Sequence, residues 1–509
     1  MKATFLISLI LVFGQFVHAQ SPNWQNLDLQ KDSVFGISTE KAYAELLQHK
    51  QKKKKYKPVL VAVIDGGVDT SHEDLKSLIW INPKEIAGNG LDDDHDGYSD
   101  DVHGWDFIGG SKGDIDQENL ELTRLIRKGE FTADMLEEYQ KQVRKDSSNV
   151  RNIKSFERVL DGMTAKMKKD SPSLSDFQSY TPEGPGEKQI KQVMIQVLQQ
   201  DSDFTAFREN EIEDAIKHFQ TELDYHLNIS FNPRAIVGDD STNAEEHLYG
   251  NNDVTGPDAL HGTHVAGIIG AERNNNIGIR GVADRVRIMS VRTVPDGDER
   301  DKDVASAIRF ATDHGARVIN MSFGKGYSPN KKVVDEAVKY AMSKDVLIVH
   351  AAGNEGENLD HESNFPNRTY ADSSGAADAW IEVGASGWKN DFTLVAPFSN
   401  YGRNTVDVFA PGVKIRSTIP GSKYIDESGT SMASPVVAGL AALIREYYPK
   451  LKASEVKDII MKSVVKPTQN VTVKDGRKAL SLHFSEVCVS GGVVNAYNAL
   501  SLAKHYKGK

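Results

Sequence analysis

The chain of 509 residues contains a single cysteine, Cys488. No intrachain disulfide can form, so the fold is held by its apolar core and by any bound ion. Beyond the first twenty residues there is no stretch with the length and apolarity of a membrane span. Dense clusters of positive charge are also scarce. The formal net charge of −11 disfavours nucleic acid as a partner, because phosphate binding needs gathered Lys and Arg. The one dense basic tract, KQKKKKYK (50–57), precedes an apolar strand and reads as a solvated linker. At 39% hydrophobic and 26% charged residues, the composition is that of an ordinary soluble protein. The length suits two or three domains.

What is present begins with MKATFLISLILVFGQFVHAQ. Lys2 precedes an apolar run from Phe5 to Phe13, and small-residue spacing follows at Val17-His18-Ala19. This is the pattern of a secretory signal peptide, residues 1–19, cut after Ala19. The mature chain is therefore expected to be exported, to the periplasm or the medium, without a membrane anchor.

After an N-terminal segment (20–57), strand and helix patterns alternate. VLVAVI (59–64), VRIMSVRTV (286–294), ARVINMSF (316–323), VLIVHAA (346–352), IEVGAS (381–386) and VDVFAP (406–411) are short, apolar and β-branched. They read as buried parallel strands. Between them Val304, Ile308 and Ala311 share a helical face, as do Val334, Val338 and Ala341. This rhythm predicts an α/β fold, a mostly parallel central sheet with helices on both faces. Active groups of such sheets gather at the carboxyl ends of the strands. The rhythm breaks over 110–231, a polar region rich in Glu, Lys and Gln with helical spacing at Leu122, Leu125 and Ile126. It reads as a large helical insertion, with a Ser/Pro/Gly linker at 171–187.

Three acid–base residues stand at the ends of predicted elements. Asp65 closes VLVAVID, His261 opens HGTHVAGIIG, and Ser431 lies in GTSMASP before the apolar run VVAGLAALI. Singly, Asp65 reads equally as a turn residue, His261 as a structural histidine and Ser431 as a helix cap. Together they supply what acyl transfer needs. A serine hydroxyl is a poor nucleophile until a base removes its proton, and a carboxylate holds the imidazole in the right tautomer. The resulting oxyanion needs donors in place. Asn354 in HAAGNEG and the Ser431 backbone N–H at a helix start would provide them.

VAVIDGGVD, HGTHVAG and GTSMASP resemble the three signature motifs of the subtilisin-like serine peptidases, in that family's order, and AAGNEG resembles its oxyanion motif. The resemblance covers about 59–105 and 232–504, and leaves the insertion unmatched. It implies a subtilisin-like three-layer fold, discontinuous over 58–109 and 232–505. It also implies Asp65 as orienting acid, His261 as general base, Ser431 as nucleophile and Asn354 as oxyanion donor, with His264 structural. NMSFG (320–324) resembles the strand beside the primary specificity pocket. Ser322, Phe323 and Gly324 would line that pocket, with Ala351, Ala352 and Gly353 opposite, and a peptide or protein substrate would bind extended. A secreted serine endopeptidase follows. The competing readings are a catalytically latent peptide-binding scaffold and a transpeptidase that matures peptides. Loss of a triad residue would have favoured the scaffold, and none is lost.

GNGLDDDHDGYSDD (88–101) raises a separate expectation. Asp92, Asp94, Asp96 and Gly97 match D-x-D-x-D-G, with Asp100 at the ninth position, but His103 stands where a bidentate Glu would complete an EF-hand. A different oxygen cage for structural Ca²⁺ is expected; the competing reading is a solvated acidic turn. The family resemblance implies a second calcium site at Asp74 and Asn275.

Overall fold

The computed structural model describes residues 21–48, 57–476 and 478–506. The signal peptide and all but the last residue of the basic tract lie outside the described residues. Two compact units emerge, Gln20–Glu121 with Asn232–Lys509, and Leu122–Phe231.

In the larger unit seven strands form a parallel sheet. They are β1 (Val59–Asp65), β2 (Gly104–Asp106), β3 (Val286–Arg292), β4 (Val318–Met321), β5 (Leu347–Ala351), β6 (Trp380–Ser386) and β7 (Val408–Pro411). Their order across the sheet is β2-β3-β1-β4-β5-β6-β7. Asp65 lies opposite Arg292 in the β1–β3 register, and Ile64 opposite Met321 in β1–β4. β1 therefore sits where the winding reverses, and its carboxyl end faces the crevice that such sheets use.

The strands read as unbroken apolar runs because both faces are covered. Val61 and Val63 point into one core with Val265, Ile268, Val349, Val436 and Leu440. Ala62 and Ile64 point into the other with Val304, Ile308, Val334 and Val338. The first face carries α1 (Leu260–Gly270) and α4 (Thr430–Tyr447); the second carries α2 (Asp301–Asp313) and α3 (Lys331–Ser343). All but one residue of α4 are buried, as expected of a helix apolar on most sides. The exception, half-buried, is Ser431.

The segment before β1 joins the same unit. Trp24, Ile37, Ala42 and Leu47 are buried in the first core, and Trp24 Nε1 donates to the Lys414 carbonyl at 3.2 Å. Two hairpins, Ile415–Ile419 with Lys423–Glu427 and Asn470–Asp475 with Lys478–His483, were not legible as strands. Cys488 is buried in a small cluster with Phe484, Val487 and Val493.

The second unit is helical. A 35-residue helix, Ala133–Met167, starts at a Thr132 cap and ends at Lys168, which is left-handed at φ 52°. Leu160, Met163, Phe177, Ile190, Met194, Leu198, Phe204 and Ile212 form its core. The boundary falls at Leu122, later than the composition suggests, because Gly109–Gly110 and Gly113–Asp114 pair as a short ladder in the larger unit. The stretch 171–187 is a linker only in part. Leu174–Ser179 is helical, begun by a Ser173–Asp176 capping box, and another helix starts at Pro185.

Candidate active site

Asp65 ends β1 almost fully buried. Its Oδ1 accepts from the Gly66 N–H at 2.8 Å and lies 2.7 Å from His261 Nδ1. Oδ2 is buried and has no hydrogen-bond partner among the described residues. Among the described residues, the imidazole is thus the one side chain bonded to this carboxylate. Two glycines permit the approach. A β-carbon on Gly67 (φ +131°) would lie 2.2 Å from the Thr255 carbonyl. One on Gly262 would lie 2.2 Å from the Gly67 carbonyl and 3.1 Å from Asp65 Cβ. Without either side chain, the first turn of α1 rests on the end of β1 and delivers His261 to Asp65.

Burial opposes the charged form of His261, but the Asp65 charge and hydrogen bond outweigh it and hold its pKa above the ordinary imidazole value. His264, one turn on, is fully buried, with Nε2 3.3 Å from the Ile425 carbonyl. Desolvation pushes its pKa down to about 4. The two histidines of HGTHVAG therefore sit in opposite electrostatic environments.

Ser431 is the second residue of α4, and α4 packs against α1. Its hydroxyl donates to the Ser322 carbonyl at 3.0 Å. Beside it, Asn354 Oδ1 accepts from Thr430 N at 2.9 Å and from Thr430 Oγ1 at 3.0 Å. These two donors fix the amide, so Nδ2 faces the other way. A methyl group on Gly429 would lie 3.5 Å from the Ser431 amide nitrogen and 3.6 Å from Asn354 Nδ2. Met432 Sδ is also 3.6 Å from that point, so the Ser431 and Asn354 nitrogens border the same small space at the start of α4. Thr430, which orients the amide, went unnoticed in the sequence, although it stands inside GTSMASP.

The residues read as pocket walls divide. Gly324 is exposed and Phe323 and Gly353 are half-buried. The Ser322 side chain points inward: Oγ accepts from Asn320 Nδ2 at 2.9 Å and donates to the Ser431 carbonyl at 2.9 Å. Ala352 is fully buried, with its N–H and carbonyl bonded to Val383 and Asn400. Ser322 and Ala352 thus support the walls and do not line them with side chains. Ala351 is buried, and its carbonyl accepts from Asn364 Nδ2 at 3.1 Å.

The acidic loop differs from its sequence reading. Asp100 turns away: Oδ1 accepts from Gly88 N and Oδ2 from Gly90 N, both at 2.7 Å. Its carboxylate closes a turn and does not join the others. Asp96 Oδ2 lies 2.9 Å from His314 Nε2, and His314 also lies 3.0 Å from Asp101 Oδ2; Asp94, Asp96 and His314 form one group with ligand atoms within 4.8 Å of one another. Burial raises the Asp96 pKa to about 6 despite that imidazole. Glu85, outside the D-x-D-x-D-G pattern, brings a carboxylate to Asp92 and Asp94, with ligand oxygens within 4.8 Å of one another. The Asp94 side chain is only 3% exposed, and its Oδ1 has no hydrogen-bond partner among the described residues. These hard oxygen donors fit Ca²⁺. Asp74 and Asn275 are also adjacent, but as a hydrogen-bonded pair. Asn275 Nδ2 donates to Asp74 Oδ1 at 2.5 Å, while Asn275 Oδ1 accepts from Ile277 N. Ile279 N and the Tyr424 hydroxyl also donate to Asp74, at 3.2 and 3.3 Å.

Comparison with known proteins gives the same direction. The sequence model of the Subtilase family, Peptidase S8, matches residues 56–485. A thermophilic serine proteinase of Bacillus sp. (strain AK1) is 46% identical over 185 residues, 36% of this chain and 42% of that protein. The cell wall-associated protease of Bacillus subtilis (strain 168) is 38% identical over 224 residues, 44% of this chain and 23% of that protein. Subtilisin BL of Lederbergia lenta is 38% identical over 200 residues, 39% of this chain and 67% of that protein. The chain thus spans less than half the length of the first two. With the family model matched over most of its length, the chain belongs to the subtilase family of serine peptidases.

Proposed function

We propose that the chain is an exported serine endopeptidase that hydrolyses peptide bonds through an acyl-enzyme on Ser431. The observation that carries this reading is the 2.7 Å contact of Asp65 with His261 at the same end of the sheet as Ser431. His261 Nε2 takes the Ser431 proton as Oγ bonds to the peptide carbonyl carbon. Asp65 accepts from Nδ1–H and stabilises the imidazolium. The carbonyl oxygen, now negative, accepts from the Ser431 N–H and Asn354 Nδ2. His261 passes its proton to the departing amine, and the acyl group stays on Oγ. Water then attacks, gives a proton to His261, and releases the acid as Oγ regains its hydrogen. The substrate runs extended past the Ser322–Gly324 segment. Ca²⁺ held by Glu85, Asp92 and Asp94 would cross-link the acidic loop.

The test is labelling of the purified mature chain with a fluorophosphonate probe, beside Ser431→Ala, in calcium and in EDTA. Labelling of the wild type alone supports an activated serine. Equal labelling of both, or none in calcium, overturns the reading. Labelling lost in EDTA and restored by calcium supports the metal; indifference to both counts against it.

A further inference from the structure

Between the two expected pocket walls stands a side chain that no motif contains. Gly324 ends one wall and Ala351 the other, and Asn364 comes from a loop between β5 and β6. Its Nδ2 donates to the Ala351 carbonyl at 3.1 Å. Its other face lies on Gly324: a β-carbon there would be 2.2 Å from Asn364 Oδ1 and 2.8 Å from Cγ and Nδ2. The carboxamide therefore touches one wall and is hydrogen-bonded to the other. Its backbone position does not depend on the amide. The next residue, Phe365, exchanges both backbone hydrogen bonds with Lys325, at 2.9 and 3.0 Å, and the Asn364 carbonyl accepts from Asn367 Nδ2 at 3.3 Å.

We infer that Asn364 closes the slot in which a substrate side chain would sit, and that the enzyme selects small residues, Gly, Ala or Ser, on the acyl side of the cleaved bond. The inference rests on the proposed catalytic reading and deepens it. Two physical effects act together. The amide takes up the space between Gly324 and Ala351, so a long or aromatic side chain has to displace it. Displacement breaks the bond to the Ala351 carbonyl and leaves that buried acceptor without its donor. An apolar ring laid on the amide also strips water from Oδ1 and gives nothing back. A methyl or hydroxymethyl group meets neither obstacle, and a serine hydroxyl can donate to Oδ1.

The experiment is a set of internally quenched peptides identical except for the residue before the cleaved bond, cut by the wild type, Asn364→Gly and Asn364→Ser. Wild-type kcat/KM for Ala and Ser should exceed that for Phe and Leu by roughly 10–200-fold, the discrimination that a few buried atoms provide. In Asn364→Gly the Phe-to-Ala ratio should rise by at least about 10-fold; Asn364→Ser should fall between. A circular dichroism melt and fluorophosphonate labelling of each variant exclude misfolding. If Asn364→Gly melts out, the wild-type profile and Asn364→Ser decide. A wild type that prefers aromatic residues, or a ratio unmoved by both substitutions, overturns the inference while labelled Ser431 keeps the catalytic reading intact. A wild type that neither labels nor cleaves removes both.

Discussion

Ser322 supplies to Ser431 the hydrogen bond that Pro435 withholds. In an α-helix the carbonyl of residue 431 would accept from the N–H of residue 435, and proline has none. The Ser322 hydroxyl donates to that carbonyl at 2.9 Å, and the Ser431 hydroxyl donates to the carbonyl of Ser322 at 3.0 Å. Asn320 and Ser434 hold the Ser322 hydroxyl from behind, at 2.9 and 2.8 Å. The first turn of α4 is therefore fastened to the end of β4 by two reciprocal bonds.

Ser322→Ala should cost about 1–3 kcal/mol, the penalty for a buried acceptor left without a donor. Pro435→Ala restores the helical N–H. Denaturant unfolding of the two single variants and the double variant forms a cycle. The cost of Ser322→Ala should shrink in the Pro435→Ala background. An equal cost in both backgrounds would show that the serine does not replace the missing helical bond.

The acid limb of kcat/KM should lie above the ordinary imidazole value near 6.5, because the Asp65 charge and hydrogen bond raise His261 over the opposing effect of burial. Protonated His261 cannot accept the Ser431 proton, so activity falls as pH drops through the raised value. In Asp65→Asn the limb should move downward and kcat should fall about 10⁴-fold, as when the wrong tautomer is stabilised. A pH–rate profile of both proteins checks this; a limb that stays in place would assign it to another group.

His264 predicts a stability change of opposite sense. Its folded pKa is pushed down to about 4, against 6.5 for the free side chain. Between those values the unfolded chain binds the extra proton, so stability present above pH 6.5 is lost as the pH falls towards 4. The loss is on the order of 3 kcal/mol. Urea unfolding at pH 7, 5.5 and 4 should show a shallower decline in His264→Gln than in the wild type. Parallel declines would place the acid sensitivity elsewhere.

Calcium should raise the melting temperature through Glu85, Asp92 and Asp94. At a hundred times its dissociation constant, a ligand that binds only the folded state adds about 2.7 kcal/mol. Asp94→Asn removes a charge from the buried group whose Oδ1 has no partner among the described residues, and should abolish most of the shift. Asp100→Asn should leave the calcium-induced shift intact, because both of its oxygens are engaged by the 88–90 turn. The reverse pattern in a thermal melt would restore the sequence reading.

The strands of the sheet were legible because their burial on both faces forces long apolar runs. VLVAVI became Val59–Asp65 and VLIVHAA became Leu347–Ala351. The edge strand Gly104–Asp106 was not legible, since three residues carry no period. The hairpin strand Lys423–Glu427 is exposed or half-buried throughout and so lacks an apolar signal. At the site, Asp65, His261, Ser431 and Asn354 stand in motifs whose residue types state their chemistry. Thr430 and Asn364 act through distances to groups far along the chain, and spacing along a sequence carries no such information. The acidic loop shows the same limit. Asp92 and Asp94 were visible in the repeat, whereas Glu85 joins them only because the loop folds back.

The burial of Cys488 gives the molecule a practical property. Its sulfur lies 3.8 Å from the Gly492 carbonyl, and desolvation pushes the thiol up to about 11. At neutral pH such a thiol is protonated and shielded, so alkylating reagents find almost no thiolate to attack. A cysteine engineered at the surface would then be the only one to take up a dye or spin label. The wild-type background is thus already suited to single-site fluorescence or distance measurements, with no native cysteine to remove first.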